Sequence, residues 1–215
     1  MNISSNRKTL KVFTYSNSLK KSFNHSIKTY LRAFPLNGIY SMLIKREERD
    51  FMVKQLIVGD TTQELASTRR MLERLPDEHM TWRPHEKSMT LGGLATHLIN
   101  LLNWQMAILQ YLDFDLSTVP LRREALEKRA DILDEFDTNV RKLEMMLTEC
   151  DEKTLGEEWT LRHGDHIIRQ EPRAIAFRTF GLSHMVHHRA QLGVYLRLLD
   201  IPVPGIYGPS ADEKA

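Results

Sequence analysis

An all-α, four-helix bundle is the fold this sequence predicts, with a basic, disordered N-terminal extension and a Pro-rich C-terminal tail. Three observations predict it. Residues 45–75, 91–112, 121–149 and 172–199 each repeat apolar side chains at helical spacing among charged ones. Pro76, Pro120 and Pro172, with Gly156 and Gly164, punctuate the intervals between them. The chain of 215 residues is 41% hydrophobic, enough for one core, and shows no internal repeat. The expected organisation is an extension over 1–46, a bundle over 47–200 and a tail over 201–215 that packs along it.

Residues 1–46 carry nine basic residues and no acidic one. They lack a lasting 3.6-residue period and an apolar run long enough for a secretory signal. The stretch reads as poorly ordered. Three origins stay open: a transit-type leader, a basic arm for an anionic surface, or sequence upstream of a start at Met42 or Met52. The abrupt change of composition favours the third. The remaining chain holds 21 basic and 28 acidic residues, net −7, which argues against a nucleic-acid groove on the folded part. No stretch has the roughly 20 apolar residues of a membrane span. Cys150 is the single cysteine, so no internal disulfide forms and a reducing, cytoplasmic setting is the simpler reading.

The helix over 45–75 draws its apolar stripe from Leu56, Leu65, Met71, Leu72 and Leu75, and Pro76 ends it. A loop with Trp82-Arg83-Pro84-His85 leads to Ser88 or Thr90, either able to cap the helix over 91–112. On that helix His97 shares a face with Leu94, Leu101, Trp104 and Ile108. Residues 113–120 are a connection. The third helix, 121–149, turns Leu126, Ile132, Leu133, Phe136, Val140, Leu143 and Leu147 inward and its many charges outward. Residues 150–171 are mixed, briefly extended at 158–161, with His163 and His166 as surface histidines. Pro172 suits the first turn of the fourth helix. The tail around Pro202, Pro204 and Pro209 cannot be helical, yet keeps apolar groups to bury. The ten methionines read as core filling.

The fourth helix holds the chemistry. His184 and His188 lie about 40° apart on one face, with Phe177, Gln191 and Tyr195 on the same stripe, His187 at its edge and Arg189 pointing away. Two inward imidazoles one turn apart need partners for their nitrogens. A divalent cation is one partner, since i, i+4 spacing lets both rings reach one ion. Backbone carbonyls or a serine are the other. His97 has the same two readings on a second helix.

Trp82-Arg83-Pro84, Leu94-Ala95-Thr96-His97-Leu98, His184-Met185-Val186-His187-His188-Arg189-Ala190-Gln191-Leu192, Pro202-Val203-Pro204 and Tyr207-Gly208-Pro209-Ser210-Ala211-Asp212-Glu213 follow in this order. Together they resemble the DinB/YfiT-like metalloenzymes over about residues 52–213. The resemblance implies a four-helix bundle with a divalent metal held by His97, His184 and His188. The family's usual Gly in HHRGQ is Ala190 here, a small change on the outer face. Some relatives act on low-molecular-weight thiols such as bacillithiol, mycothiol or glutathione, as S-transferases or isomerases.

Three neutral imidazoles leave a coordination position open, as catalytic sites do. Zn²⁺, Ni²⁺ or another first-row ion fits; histidines do not choose among them. The HxxxH has Met185 where zinc peptidases place their general-base Glu, which argues against peptide hydrolysis. Gln191 is placed to orient a ligand or to be a backbone-satisfied amide, and Trp82, Trp104 and Tyr195 to wall the pocket or fill the core. A metal-dependent thiol S-transferase acting on a small molecule is the leading function. A non-catalytic, stress-associated metal-binding protein and a metal-dependent hydrolase are the alternatives. Bundles with apolar flanks often pair, so a homodimer is the assembly to test.

Overall fold

The computed structural model describes residues 38–118 and 124–213, with side chains from Met52 onward. Its first element is one helix, α1, Gly38–Leu72. It begins before the expected 45, so residues 38–46 of the extension read as disordered are helical; the rest of that expectation, 1–37, lies outside the described residues. The chain divides into two units, Met1–Arg49 and Asp50–Ala215.

Along α1 the buried side is Ile57, Thr61, Leu65, Thr68 and Leu72. The spacing is helical, and the two threonines fit because each hydroxyl donates one turn back, to the carbonyls of Ile57 (2.6 Å) and Glu64 (2.8 Å). Leu56, expected in this stripe, is instead 61% exposed; it precedes Ile57, which takes the inward place. The helix closes on tighter bonds, Arg74 N–H to Met71 O and Leu75 N–H to Leu72 O, and Pro76 ends the run.

Helix α2, Leu91–Gln110, is capped by Thr90, whose Oγ1 accepts from Gly93 N–H at 3.0 Å. Most of α2 is buried, Leu91, Leu94, Leu98, Leu101 and Ile108 completely. Helix α3, Arg129–Glu149, starts later than the expected 121. Leu126 lies in a non-helical stretch before it, where its N–H donates to Thr96 Oγ1 at 2.9 Å and pins the segment on α2. That crossing is close. A Cβ on Gly92 would stand 2.5 Å from the Leu126 carbonyl oxygen and 3.2 Å from that of Met80. Gly92→Ala therefore pushes backbone on two sides, and a loss of about 1–3 kcal/mol is expected, read as a lower thermal midpoint.

The chain is mostly helical, but it also holds a small sheet that the all-α expectation lacked. After the short α4, Glu152–Gly156, come β2, Glu158–His163, and β3, His166–Pro172, an antiparallel hairpin. β1, Asp113–Asp115, pairs parallel with β2, giving the order β1-β2-β3. Asp115 holds the sheet together. Its carboxylate accepts from Ser117 N–H (2.9 Å), Ser117 Oγ (2.7 Å) and Gly164 N–H (3.0 Å) and pairs with Arg162 at 2.7 Å. Those hydrogen bonds hold its carboxyl well below the usual range, at about 2. Gly164, at φ +57°, supplies the left-handed turn residue, and Phe114, Trp159 and Leu161 are the buried side. His163 and His166 face each other across the turn, both exposed.

Pro172 stands at the N-cap, just ahead of a helical rod: α5, Arg173–Ala176, a π-helical segment, Phe177–Ser183, then α6, His184–Leu198. Buried Arg173 donates to the carbonyls of Ile108 and Tyr111, satisfying the C-terminal end of α2 with a cation. The rod packs on α2, which packs on α3. Polar bonds hold the tail. Glu213 meets Arg70 and Arg74, Asp212 meets Arg197, and Ser210 Oγ donates to Val203 O. Among the described residues no helix is long and apolar enough to cross a membrane.

Candidate metal centre

The α2–α6 crossing brings three imidazoles together. One nitrogen each of His97, His184 and His188 lies within 4.8 Å of the others, and among the described residues no carboxylate or thiol joins them. His184 and His188, one turn apart on α6, hold their Nε2 atoms 2.9 Å apart. The His97 ring faces both, its centroid 5.3 Å from that of His184 and 4.4 Å from that of His188. His187 is exposed and stays outside the cluster, edge-on to His188.

Hydrogen bonding decides whether the residues fit a cation. His188 Nδ1 donates to Gln191 Oε1 at 2.8 Å, which leaves the lone pair on His188 Nε2. His184 then has two options. With its proton on Nε2 it donates to His188, but its bare Nδ1 stays buried without a partner. With the proton on Nδ1, two lone pairs face each other across 2.9 Å. A positive centre among the three nitrogens removes that conflict, so the donor set fits a divalent ion. Burial, then the neighbouring imidazoles, pushes His97 down to about 4. Burial also lowers His184 and His188, opposed at His188 by the Gln191 bond and at His184 by the Phe180 carbonyl. All three are thus neutral, the ligating form, near pH 7.

The DinB family's sequence pattern matches residues 54–215. This chain belongs to the DinB family. The uncharacterised protein YrdA of Bacillus subtilis is 26% identical to this DinB-family chain over 152 residues, 71% of this chain and 86% of YrdA. A solved DinB-like protein from Bacillus cereus is 26% identical, with TM-score 0.57, covering 70% of this chain and 95% of that one. A second, YjoA from Bacillus subtilis, shares the fold at 17% identity and TM-score 0.54, covering 74% and 98%.

In this DinB-family protein the candidate aromatic walls separate into two groups. Trp104 stacks on Phe180 (4.6 Å, 17°) and presents its edge to His184 at 6.0 Å. Trp82 packs edge-on to Tyr195 at 5.6 Å, and Tyr195 OH donates to Met89 O. The sequence reading did not name Phe180, whose ring is 5.7 Å from His184, although it lies one helical turn before His184 and falls on the same face as His188 does one turn after it. It also left Arg189 merely pointing away. Arg189 is 2% exposed and ties α6 to α1 and the tail, meeting Glu64 Oε2 at 2.6 Å and Tyr207 OH at 2.7 Å.

The depressed His97 value carries a pH dependence with a definite sign. Its folded-state value of about 4 lies below the ordinary 6.5, so the folded protein binds fewer protons than the unfolded chain. The stability linked to it is full above about pH 6.5 and lost as pH falls towards 4. Urea midpoints of the metal-free protein are expected to hold above neutrality and fall across that window. His97→Gln flattens the fall.

Proposed function

We propose that His97, His184 and His188 bind a divalent first-row ion within a four-helix bundle, and that the protein is a metal-dependent thiol S-transferase. The observation that carries this reading is the pair of Nε2 atoms 2.9 Å apart, one of them kept unprotonated by Gln191. The bound ion would supply a positive centre that holds a thiol as its thiolate, the stronger nucleophile. In the reaction the thiol sulfur forms a bond to an electrophilic carbon, the leaving group departs with the bonding electrons, and the thiol proton goes to solvent. The chain's own part is to keep three imidazoles neutral and oriented.

Two observations favour turnover over storage. Each of the three histidines is partly exposed. The tail, the natural candidate for a seal, spends its polar contacts on Glu64, Arg70, Arg74, Arg189 and Arg197. Hydrolysis is disfavoured because Met185 is a fully buried core residue, and no carboxylate among the described residues joins the cluster. The test is consumption of low-molecular-weight thiols with a generic electrophile, with and without Zn²⁺ or Ni²⁺. Metal-dependent loss of one thiol above the protein-free rate is expected; no acceleration with any of several thiols ends the transferase reading.

A further inference from the structure

Gln105, on α2, is fully buried, and neither its Oε1 nor its Nε2 has a hydrogen-bond partner. Cores rarely keep a polar side chain in that state without a use for it. Its place is informative. A Cβ on Gly181 would come within 2.7 Å of Gln105 Cγ, so the amide arm lies across the π-helical segment where a glycine makes room. His184 follows three residues later. Helical side chains lean towards the N-terminus, which hangs the His184 ring over the Phe180–Gly181 turn. The closeness of the Phe180 and Trp104 rings to His184 agrees with this.

His184 Nδ1 is buried and makes no hydrogen bond of full geometry; the Phe180 carbonyl is near enough to favour a proton on the ring without completing that bond. When Nε2 faces a cation, Nδ1 must carry the proton and give it to an acceptor. On His188 that acceptor is Gln191 Oε1. We propose that Gln105 is the corresponding positioning residue for His184, its Oε1 reached through one bridging water. Such a water needs two to four polar partners. His184 Nδ1–H and Gln105 Oε1 are two, and Trp104 Nε1, likewise buried and unpartnered, is a third. The inference rests on the three-histidine metal reading above and adds that each of the paired α6 histidines is oriented by a glutamine.

Gln105→Met in the full chain tests it, because the thioether keeps the volume and removes the amide. Zinc affinity, measured by competition with a chromophoric chelator, is expected to fall about tenfold. In metal-free protein the nitrogen-15 shifts of the His184 ring are expected to move from the Nδ1–H towards the Nε2–H tautomer, while the thermal midpoint holds or rises. Gln191→Met supplies the reference, with the same two changes centred on His188. Zinc affinity and His184 shifts equal to the wild type's overturn the proposal, whatever the midpoint does. Should Gln105→Met not fold, Gly181→Ala decides on the same readouts, since its Cβ displaces the amide arm. Wild-type protein that binds no zinc removes the metal reading and this one with it. Wild-type and Gln105→Met proteins that bind zinc equally and share the same His184 shifts remove this one alone.

Discussion

Alanine at His97, His184 or His188 is expected to abolish the proposed metal binding, each substitution acting alone. The cluster holds three nitrogens within 4.8 Å and no fourth protein ligand among the described residues, so losing one leaves two imidazoles to compete with solvent for the ion. Elemental analysis of purified protein is the direct readout. His187→Ala is the control, because that exposed ring lies outside the cluster. A second measurement follows from linkage. An ion that binds only the folded chain adds about 2.7 kcal/mol at a hundred times its dissociation constant. Wild type and His187→Ala gain this in excess metal, and the other three variants do not. Wild-type metal content in any of those three sinks the assignment of that residue.

Arg189→Ala is expected to be the most destabilising single change outside the centre. Its guanidinium donates to Glu64 O (3.0 Å), Thr68 Oγ1 (3.3 Å) and Tyr207 OH (2.7 Å), and pairs with Glu64 Oε2 at 2.6 Å. The Glu64 side chain is only 14% exposed. Removing the cation leaves that carboxylate nearly buried with only the tyrosine hydroxyl beside it, a loss of about 3–5 kcal/mol. For a domain of this size that lowers the thermal midpoint by roughly 10 °C. Arg189→Lys does not rescue, since one ammonium cannot span four acceptors on two sides. Replacing Glu64 and Arg189 together by leucine and methionine is expected to cost less than Arg189→Ala alone, because no charge is then stranded. A double variant weaker than the single one counts against this account.

Helical periodicity made the inward turn of His97, His184 and His188 legible, and the family resemblance brought the three together in one site. The spacing of His184 and His188 and the shared stripe of His97 with Leu94 and Leu101 survive any detail of the loops. Of the sheet, only the extended stretch at 158–161, part of β2, was legible. β1 is three residues, Asp-Phe-Asp, and what fixes it is Asp115 bonding to Gly164, 49 positions away. Such a long-range bond leaves no local pattern. On α1 the expected Leu65, Met71, Leu72 and Leu75 are buried and only Leu56 was misplaced, Ile57 taking the inward position; Thr61 and Thr68 went unread because they do not register as apolar although their hydroxyls are satisfied within the helix. The π-helical segment Phe177–Ser183 has no compositional mark. It did not hide Phe180, which a straight wheel puts about 40° from His184, the same angle that pairs His184 with His188. Arg189 was opaque because its partner, Glu64, lies 125 residues away.

The indole of Trp104 stands 6.0 Å from His184 and stacks on Phe180. The candidate centre therefore carries its own optical reporter. A paramagnetic ion such as Co²⁺ or Ni²⁺ bound by the histidines is expected to quench the emission of that indole, so loading is testable by fluorescence in unlabelled protein, and Trp104→Phe is expected to silence that component of the signal.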